Sequence, residues 1–228
     1  QKAMVKVFEK PLESDFSDLE NVLYLTHGPY HNPYELTTFY DNHDMARMNA
    51  TDNGFINAHN WLFTVRGIPV VYMGSEMGYM RGTAEHVGNR NYVGQERLDA
   101  ANTHPIKKAL TNIANVRKAT PALQRGVQVN LELQGHRAAF YRIVQNGDEN
   151  QIALVLLNKG EESEHFEISE YMQSGVWTEQ LTGEVKRLND KAALVSNVKP
   201  NGVQVWVLND KVKSEALLAR LAFQAARQ

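Results

Sequence analysis

Apolar residues along the first 120 positions change their period from one stretch to the next. Residues 2–9 place Met4, Val5 and Phe8 on one side of an amphipathic helix that Pro11 stops. Residues 12–36 mix acids, Asn, Gly, Pro and aromatics, which reads as an irregular connection with a turn of helix near 17–25. Residues 37–41 are β-branched and aromatic, a strand. Phe55, Ala58, Leu62 and Val65 then recur at helical spacing, with Gly67 placed as the residue just past the helix end. Pro69 to Met73 is short and apolar on both faces, the pattern of a buried parallel strand. A polar loop spans 74–102. A helix follows over 104–118, carried by Ile106, Leu110, Ile113, Ala114 and Val116. The β-α-β-α alternation predicts parallel strands covered by helices.

The pattern changes after Pro121. Val127–Leu133, Ala138–Val144, Ile152–Leu157, His165–Ile168, Val176–Leu181, Ala193–Val198 and Val203–Leu208 all read as short strands, punctuated by Gly and Asn-Gly. That spacing predicts an antiparallel sandwich or barrel. Trp177 and Trp206 alternate into its core, or stay exposed and stack on sugars. Residues 211–228 predict a helix capped by Ser214, with Leu217, Leu218, Leu221 and Ala225 as an apolar stripe packed on its own protein or on a second copy.

Composition narrows the classes of function. The 228 residues suffice for one large or two modest domains. A formal charge of −2 offers no basic field for nucleic acid and no polybasic membrane patch, and no apolar run is long enough to span a bilayer. The absence of cysteine excludes disulfides and thiolate metal sites. The eight histidines are scattered and no Asp-rich calcium loop appears, so no metal site is expected. The chain begins at Gln1 rather than Met, the start expected of a processed or truncated product.

The candidate chemistry lies where the predicted strands end. Asn42, His43 and Asp44 follow the first strand; Gly74, Ser75 and Glu76 follow the second. In parallel α/β barrels the active site gathers at the C-terminal ends of the strands. For His43 and Asp44 to meet one ligand, the strand must stop near Asn42. A carboxylate there can stabilise an oxocarbenium-like transition state, and an imidazole can hydrogen-bond sugar hydroxyls. Alternatively, Asp44 simply caps a turn or the following helix.

Taken together, Phe39-Tyr40-Asp41-Asn42-His43-Asp44-Met45-Ala46-Arg47 and Gly67-Ile68-Pro69-Val70-Val71-Tyr72-Met73-Gly74-Ser75-Glu76 resemble the last two barrel-strand motifs of the α-amylase family of glycoside hydrolases. Bacterial maltogenic amylases and cyclodextrin glucanotransferases are the members they resemble, with a likeness running to about residue 210. The resemblance implies an α/β plus all-β fold. Residues 1–122 would be the last two strand-helix units of a TIM barrel, 123–210 an antiparallel β-sandwich and 211–228 a terminal helix. It implies that Asp44 is the third catalytic carboxylate, stabilising the transition state, and that His43 hydrogen-bonds the same sugar. Arg90, in an Asn-Arg pair, would contact more distant glucose units or be a plain loop arginine. Asn42, Arg47, Tyr72 and Glu76 would be supporting positions, Arg47 alternatively pairing with a neighbouring carboxylate. Two departures stand out. Met73 replaces a family Tyr and cannot donate a hydrogen bond, and Ala84 stands near a sugar-binding Asp of some relatives.

Retaining glycosidases also need a nucleophile and a general acid/base. The family's Gly-x-Arg-x-Asp pattern and its Glu-bearing strand are absent from these residues, and a whole barrel takes roughly 250 residues. The expected partners are therefore an α-glucan or maltooligosaccharide and the missing barrel part, in the same or a second chain. No nucleic acid or membrane partner is expected. No cofactor is expected in this chain, with calcium implied for the parent protein, and the family resemblance favours a secreted or periplasmic location. The rival function is a non-catalytic amylase-like carbohydrate-binding or interaction module.

Overall fold

A computed structural model describes residues 1–225; residues 226–228 of the predicted C-terminal helix lie outside the described residues, as does the side chain of Ala225. Helix α1 (Lys2–Glu9) buries Met4, Val7 and Phe8. The connection after it contains two 3-10 turns, Phe16–Val22 and Pro33–Glu35, each opened by an Asx side chain that accepts a backbone N–H. Strand β1 (Thr37–Thr38) pairs in parallel with β2 (Ile68–Pro69). Between them lies α2 (Asp52–Thr64), whose Thr51 hydroxyl caps the N–H of Gly54. Helices α3 (Gln95–Ala101), α4 (Pro105–Ala119) and α5 (Pro121–Arg125) follow. The α3 segment corrects the reading of 74–102 as loop throughout.

The two parallel strands differ most from their sequence reading. Each pairs over two residues, not the five anticipated, because each has only the other as a hydrogen-bonded neighbour. The 69–73 run is not buried: Ile68 is 51%, Val70 41% and Met73 44% exposed. An apolar run signals that something covers it without saying what. Gly67 also has a different role. Helix α2 ends at Thr64, and Gly67 sits at φ +93°, where an added Cβ would come within 2.7 Å of the Leu36 carbonyl oxygen and of Thr38 Oγ1. It lets the chain pass close against β1.

The C-terminal half is antiparallel, as the strand spacing predicts. Strands β3 (Val127–Gln134), β4 (Arg137–Asn146), β5 (Glu149–Asn158), β7 (Gly175–Glu179), β8 (Val185–Leu188) and β10 (Gly202–Leu208) form one sheet in the order β3-β4-β5-β10-β7-β8; β6 (Glu164–Ile168) and β9 (Leu194–Val198) pair separately. Strand β8 escaped the sequence reading, and Leu181, assigned to the preceding strand, lies in the turn before β8. Helix α6 (Glu215–Ala225) is capped by Ser214 and buries Leu217 and Leu221, whereas Leu218 of the anticipated stripe is 38% exposed.

Alternation along β4 and β5 places the sheet between two cores. Ala138, Phe140, Ala153 and Val155 face a cluster containing Phe8, Phe16 and Trp61 from the N-terminal segment. Ala139, Tyr141, Leu154 and Leu156 face a second cluster with Phe166, Trp177, Trp206 and Leu217. Both tryptophans of this second cluster are 0% exposed, which removes them as surface stacking platforms. The first cluster runs without a break across residue 122: Trp61 lies 5.5 Å from Phe16 and 5.9 Å, edge-on, from Phe140.

The end of α2 is held by main-chain contacts from three arginines. Arg142, wholly buried, donates to Thr64 O at 2.8 Å and twice to Gly126 O. Arg117 donates to Phe63 O, Val65 O and Gly67 O, and Arg66 to Leu23 O and Val22 O. Cations at the C-terminal end of a helix meet its orphan carbonyls and favourable dipole. Burial lowers Arg117 to about 10 and Arg142 to about 9, so both remain charged at neutral pH.

His59 on α2 is also fully buried, with Nε2 2.7 Å from the Tyr40 hydroxyl. Burial lowers its imidazole from 6.5 to about 3. Between those values the unfolded chain binds the extra proton, so stability is complete above pH 6.5 and falls as pH drops through it. At about 1.4 kcal/mol per pH unit, the His59 contribution falls by about 2 kcal/mol at pH 5. Urea unfolding at pH 7.5 and 5.0 measures this loss. His59→Leu should flatten the difference, and an unchanged difference in that variant would place the acid sensitivity elsewhere.

Candidate functional site

The β1 end turns away from the sheet immediately after Tyr40, whose ring is buried against Phe55 and His59. From there the backbone makes an Asx turn: Asn42 Oδ1 accepts the Asp44 N–H at 2.8 Å. That turn places His43 and Asp44 together at the surface, about half exposed, with His43 Nε2 3.0 Å from Asp44 Oδ2. Arg90 reaches in from the 83–94 loop. Its Nη2 donates to Asp44 Oδ1 at 2.5 Å and its Nε to the His43 carbonyl at 3.3 Å. Asn89 Nδ2 donates to the same carbonyl. Asp44 thus has an imidazole against one carboxylate oxygen and a guanidinium against the other. The turn-capping alternative does not describe it, because the cap in this turn is Asn42.

The supporting residues form a layer beneath. Tyr72 donates its hydroxyl to Asn89 O at 2.7 Å, fixing the loop that carries Arg90. Arg47 is buried, donates to Met73 O at 2.9 Å and Gly88 O at 3.3 Å, and lies with its guanidinium 4.7 Å from the Tyr72 ring centre. Its nearest carboxylate is Asp41, 3.9 Å away. Both groups of this pair are buried, so Arg47 pairs with a neighbouring carboxylate as well as bonding the main chain. Arg47 Nη2 and Asn89 Oδ1 are buried without a hydrogen-bond partner among the described residues. Glu76 is half-buried in the 3-10 turn Ser75–Met77 beside this layer.

Two contributors escaped the sequence reading. Asp41 is 2% exposed and accepts two hydrogen bonds from Ser75 Oγ, at 2.9 and 3.1 Å. Burial pushes its carboxyl up, opposed by Ser75, Arg47 and the Met48 N–H. It reads in sequence as one more strand residue, yet it joins the tip of the first strand to the turn after the second. Asn89 was legible only as the neighbour of Arg90, and nothing in a linear pattern announces its contact with His43 O across 46 positions.

No family model matches the chain. Among curated proteins it is similar to a beta/alpha-amylase of Paenibacillus polymyxa, 29% identical over 182 residues, which span 74% of this chain and 14% of that protein. It is also similar to a cyclomaltodextrin glucanotransferase of Paenibacillus macerans, 28% identical over 185 residues, 78% of this chain and 24% of the other. Among solved structures, the cyclomaltodextrin glucanotransferase CldA superposes with a TM-score of 0.72 at 26% identity, over 92% of this chain and 43% of CldA. The α-amylase of Geobacillus thermoleovorans gives a TM-score of 0.72 at 21% identity, over 92% of this chain and 47% of that one, a likeness of fold. The chain thus spans less than half the length of each of these proteins.

Proposed function

We propose that this chain, whose sequence and fold match the C-terminal portion of an α-amylase-family glycoside hydrolase, contributes one of three catalytic carboxylates to an enzyme that cleaves α-1,4-glucosidic bonds with retention, as a hydrolase or a transglycosylase. Residues 1–122 supply the last two strand-helix units of a (β/α)8 barrel, and the sheets beyond them form its C-domain. The exposed faces of Ile68, Val70 and Met73 are where the neighbouring barrel strands pack.

The observation that carries this reading is the placement of Asp44. Its carboxylate stands beyond the end of a parallel strand pair, half exposed, between His43 and Arg90. As positive charge develops on the sugar ring, a fixed carboxylate beside it lowers the barrier electrostatically. His43 donates to or accepts from hydroxyls of that sugar. Arg90 holds Asp44 in place before substrate arrives and then turns to glucan oxygens, for which its exposed guanidinium has donors to spare. Asn42, Arg47, Tyr72 and Glu76 keep the turn and its loop in register.

The nucleophile and the general acid/base come from polypeptide outside these residues. The 228-residue chain alone should therefore release no reducing sugar from soluble starch, and joining it to a barrel portion bearing a Gly-x-Arg-x-Asp strand and a Glu-bearing strand should restore release. A reducing-sugar assay on the purified chain decides the matter: hydrolysis by the chain alone overturns the proposal, as does a joined protein whose activity does not depend on Asp44.

A further inference from the structure

Three asparagines of this chain stand directly before a glycine: Asn53, Asn146 and Asn201. Asn-Gly is the pair most prone to spontaneous deamidation, because a residue without a Cβ leaves its backbone nitrogen open to the preceding side chain. The fold treats the three pairs differently. Asn53 lies in the first turn of α2. There the Gly54 N–H is bound to Thr51 Oγ1 at 3.2 Å, and Gly54 is buried so closely that an added Cβ would come within 2.4 Å of Phe8 O. Asn201 has its Oδ1 held by Asn57 Nδ2 at 2.8 Å and its own N–H on Gly160 O at 3.0 Å, and Gly202 is buried in β10 opposite Asn158.

Asn146 is the exception. It ends β4 at the turn into β5, paired with Glu149, and both it and Gly147 are exposed. Gly147 stands at φ +60° with nothing within 4 Å of an added Cβ. Neither the Asn146 carboxamide nor the Gly147 N–H makes a hydrogen bond among the described residues; the bond made at this turn, from Asn150 Nδ2 at 3.1 Å, goes to Gly147 O. Nucleophile and electrophile are thus adjacent, unbound and in open solvent at a loop tip, where local opening costs least.

We infer that Asn146 is a site of covalent self-modification whose product loosens the C-terminal helix. The Gly147 nitrogen, losing its proton to solvent, bonds to Asn146 Cγ; the carboxamide C–N bond breaks, its nitrogen leaves as ammonia, and a succinimide ring closes. Water then opens the ring at either carbonyl. The product is aspartate or, with the main chain rerouted through the side chain, isoaspartate. The net exchange turns one carboxamide and one water into one carboxylate and one ammonium, with no change of oxidation state. Either product puts a carboxylate opposite Glu149, and like charges across a strand pair repel. Glu149 already engages Arg125 Nη2 through both oxygens, at 2.8 and 2.6 Å. Arg125 and Asn146 line one groove with Leu218, Leu221 and Ala222 of α6. Next to Asn146, Gln145 Oε1 accepts the Val212 N–H at 2.6 Å, just ahead of α6. Isoaspartate adds a main-chain atom beside Gln145 and shifts it off that bond, so the helix loses one of its fastenings.

The test ages the intact chain in mildly alkaline buffer and follows its tryptic peptides by mass spectrometry. In the folded chain Asn146 should convert at least about tenfold faster than Asn53 or Asn201, the factor imposed by about 1.4 kcal/mol of local opening. In urea, where all three glycines are free, the rates should converge. Asn146→Gln, whose longer side chain can close only a larger and slower-forming ring, should stop the conversion. On the native chain, trypsin should cut after the exposed Arg220 about fivefold faster once Asn146 has converted, the effect of one lost hydrogen bond of ordinary net strength. Ageing the Asn146→Gln variant should bring no such acceleration. The proposal falls if Asn53 or Asn201 converts as fast as Asn146 in the folded chain, if the preference for Asn146 persists in urea, or if cleavage after Arg220 is the same before and after conversion.

Discussion

Asp44→Asn should reduce α-glucan turnover by the joined enzyme about a hundred- to a thousandfold, chiefly in kcat. The substitution keeps the size of the side chain and its ability to accept from Arg90, but removes the negative charge. Loss of one well-placed electrostatic contact to a charge-developing transition state costs rates of this order. A ground state that carries no full charge is affected far less, so KM should change little. Arg90→Lys isolates the supporting contribution. The lysine keeps the charge and loses the paired contacts to Asp44 Oδ1 and His43 O, so its smaller loss should fall on KM as well as kcat. Initial rates on soluble starch for the parent and both variants measure this. An Asp44→Asn enzyme retaining more than a tenth of parental kcat would remove Asp44 from the chemistry.

The second large effect is on stability. Trp61→Ala should destabilise the chain by about 3–5 kcal/mol, the usual cost of deleting a buried tryptophan. For a chain of this length that lowers Tm by about 6–20 °C. Trp61 is 2% exposed and touches Phe16 from the N-terminal connection and Phe140 from the central sheet. Its removal therefore loosens both halves. Calorimetry should show one transition shifted as a whole. A variant in which the sheet keeps its original melting temperature while the first 120 residues melt earlier would show that the shared cluster does not couple them.

Much of this architecture could be read from the chain. Phe55, Ala58 and Leu62 mark α2 because its inner face is apolar at helical spacing, and the seven predicted C-terminal strands are all present because alternation and Gly-Asn turns are local signals. Strand β8 was missed because Val185, Lys186, Arg187 and Leu188 bury little on either side. The exposure of Ile68, Val70 and Met73 was illegible for the opposite reason: an apolar run looks the same whether its cover belongs to this chain or to another. At the site, Asn42, His43 and Asp44 announce themselves by residue type. The Asp41–Ser75 bonds and the Asn89 contact to His43 O join segments 34 and 46 positions apart and have no linear signature.

The three guanidiniums gathered around the end of α2 set how the junction between helix and sheet responds to acid. Joints made of paired carboxylates and cations come apart once the carboxylates are discharged. Here every main-chain acceptor is a peptide oxygen, which does not titrate in any ordinary range. Acidification that silences each Asp and Glu leaves this clamp unaltered, because the guanidiniums stay charged and their peptide acceptors have no proton to take up.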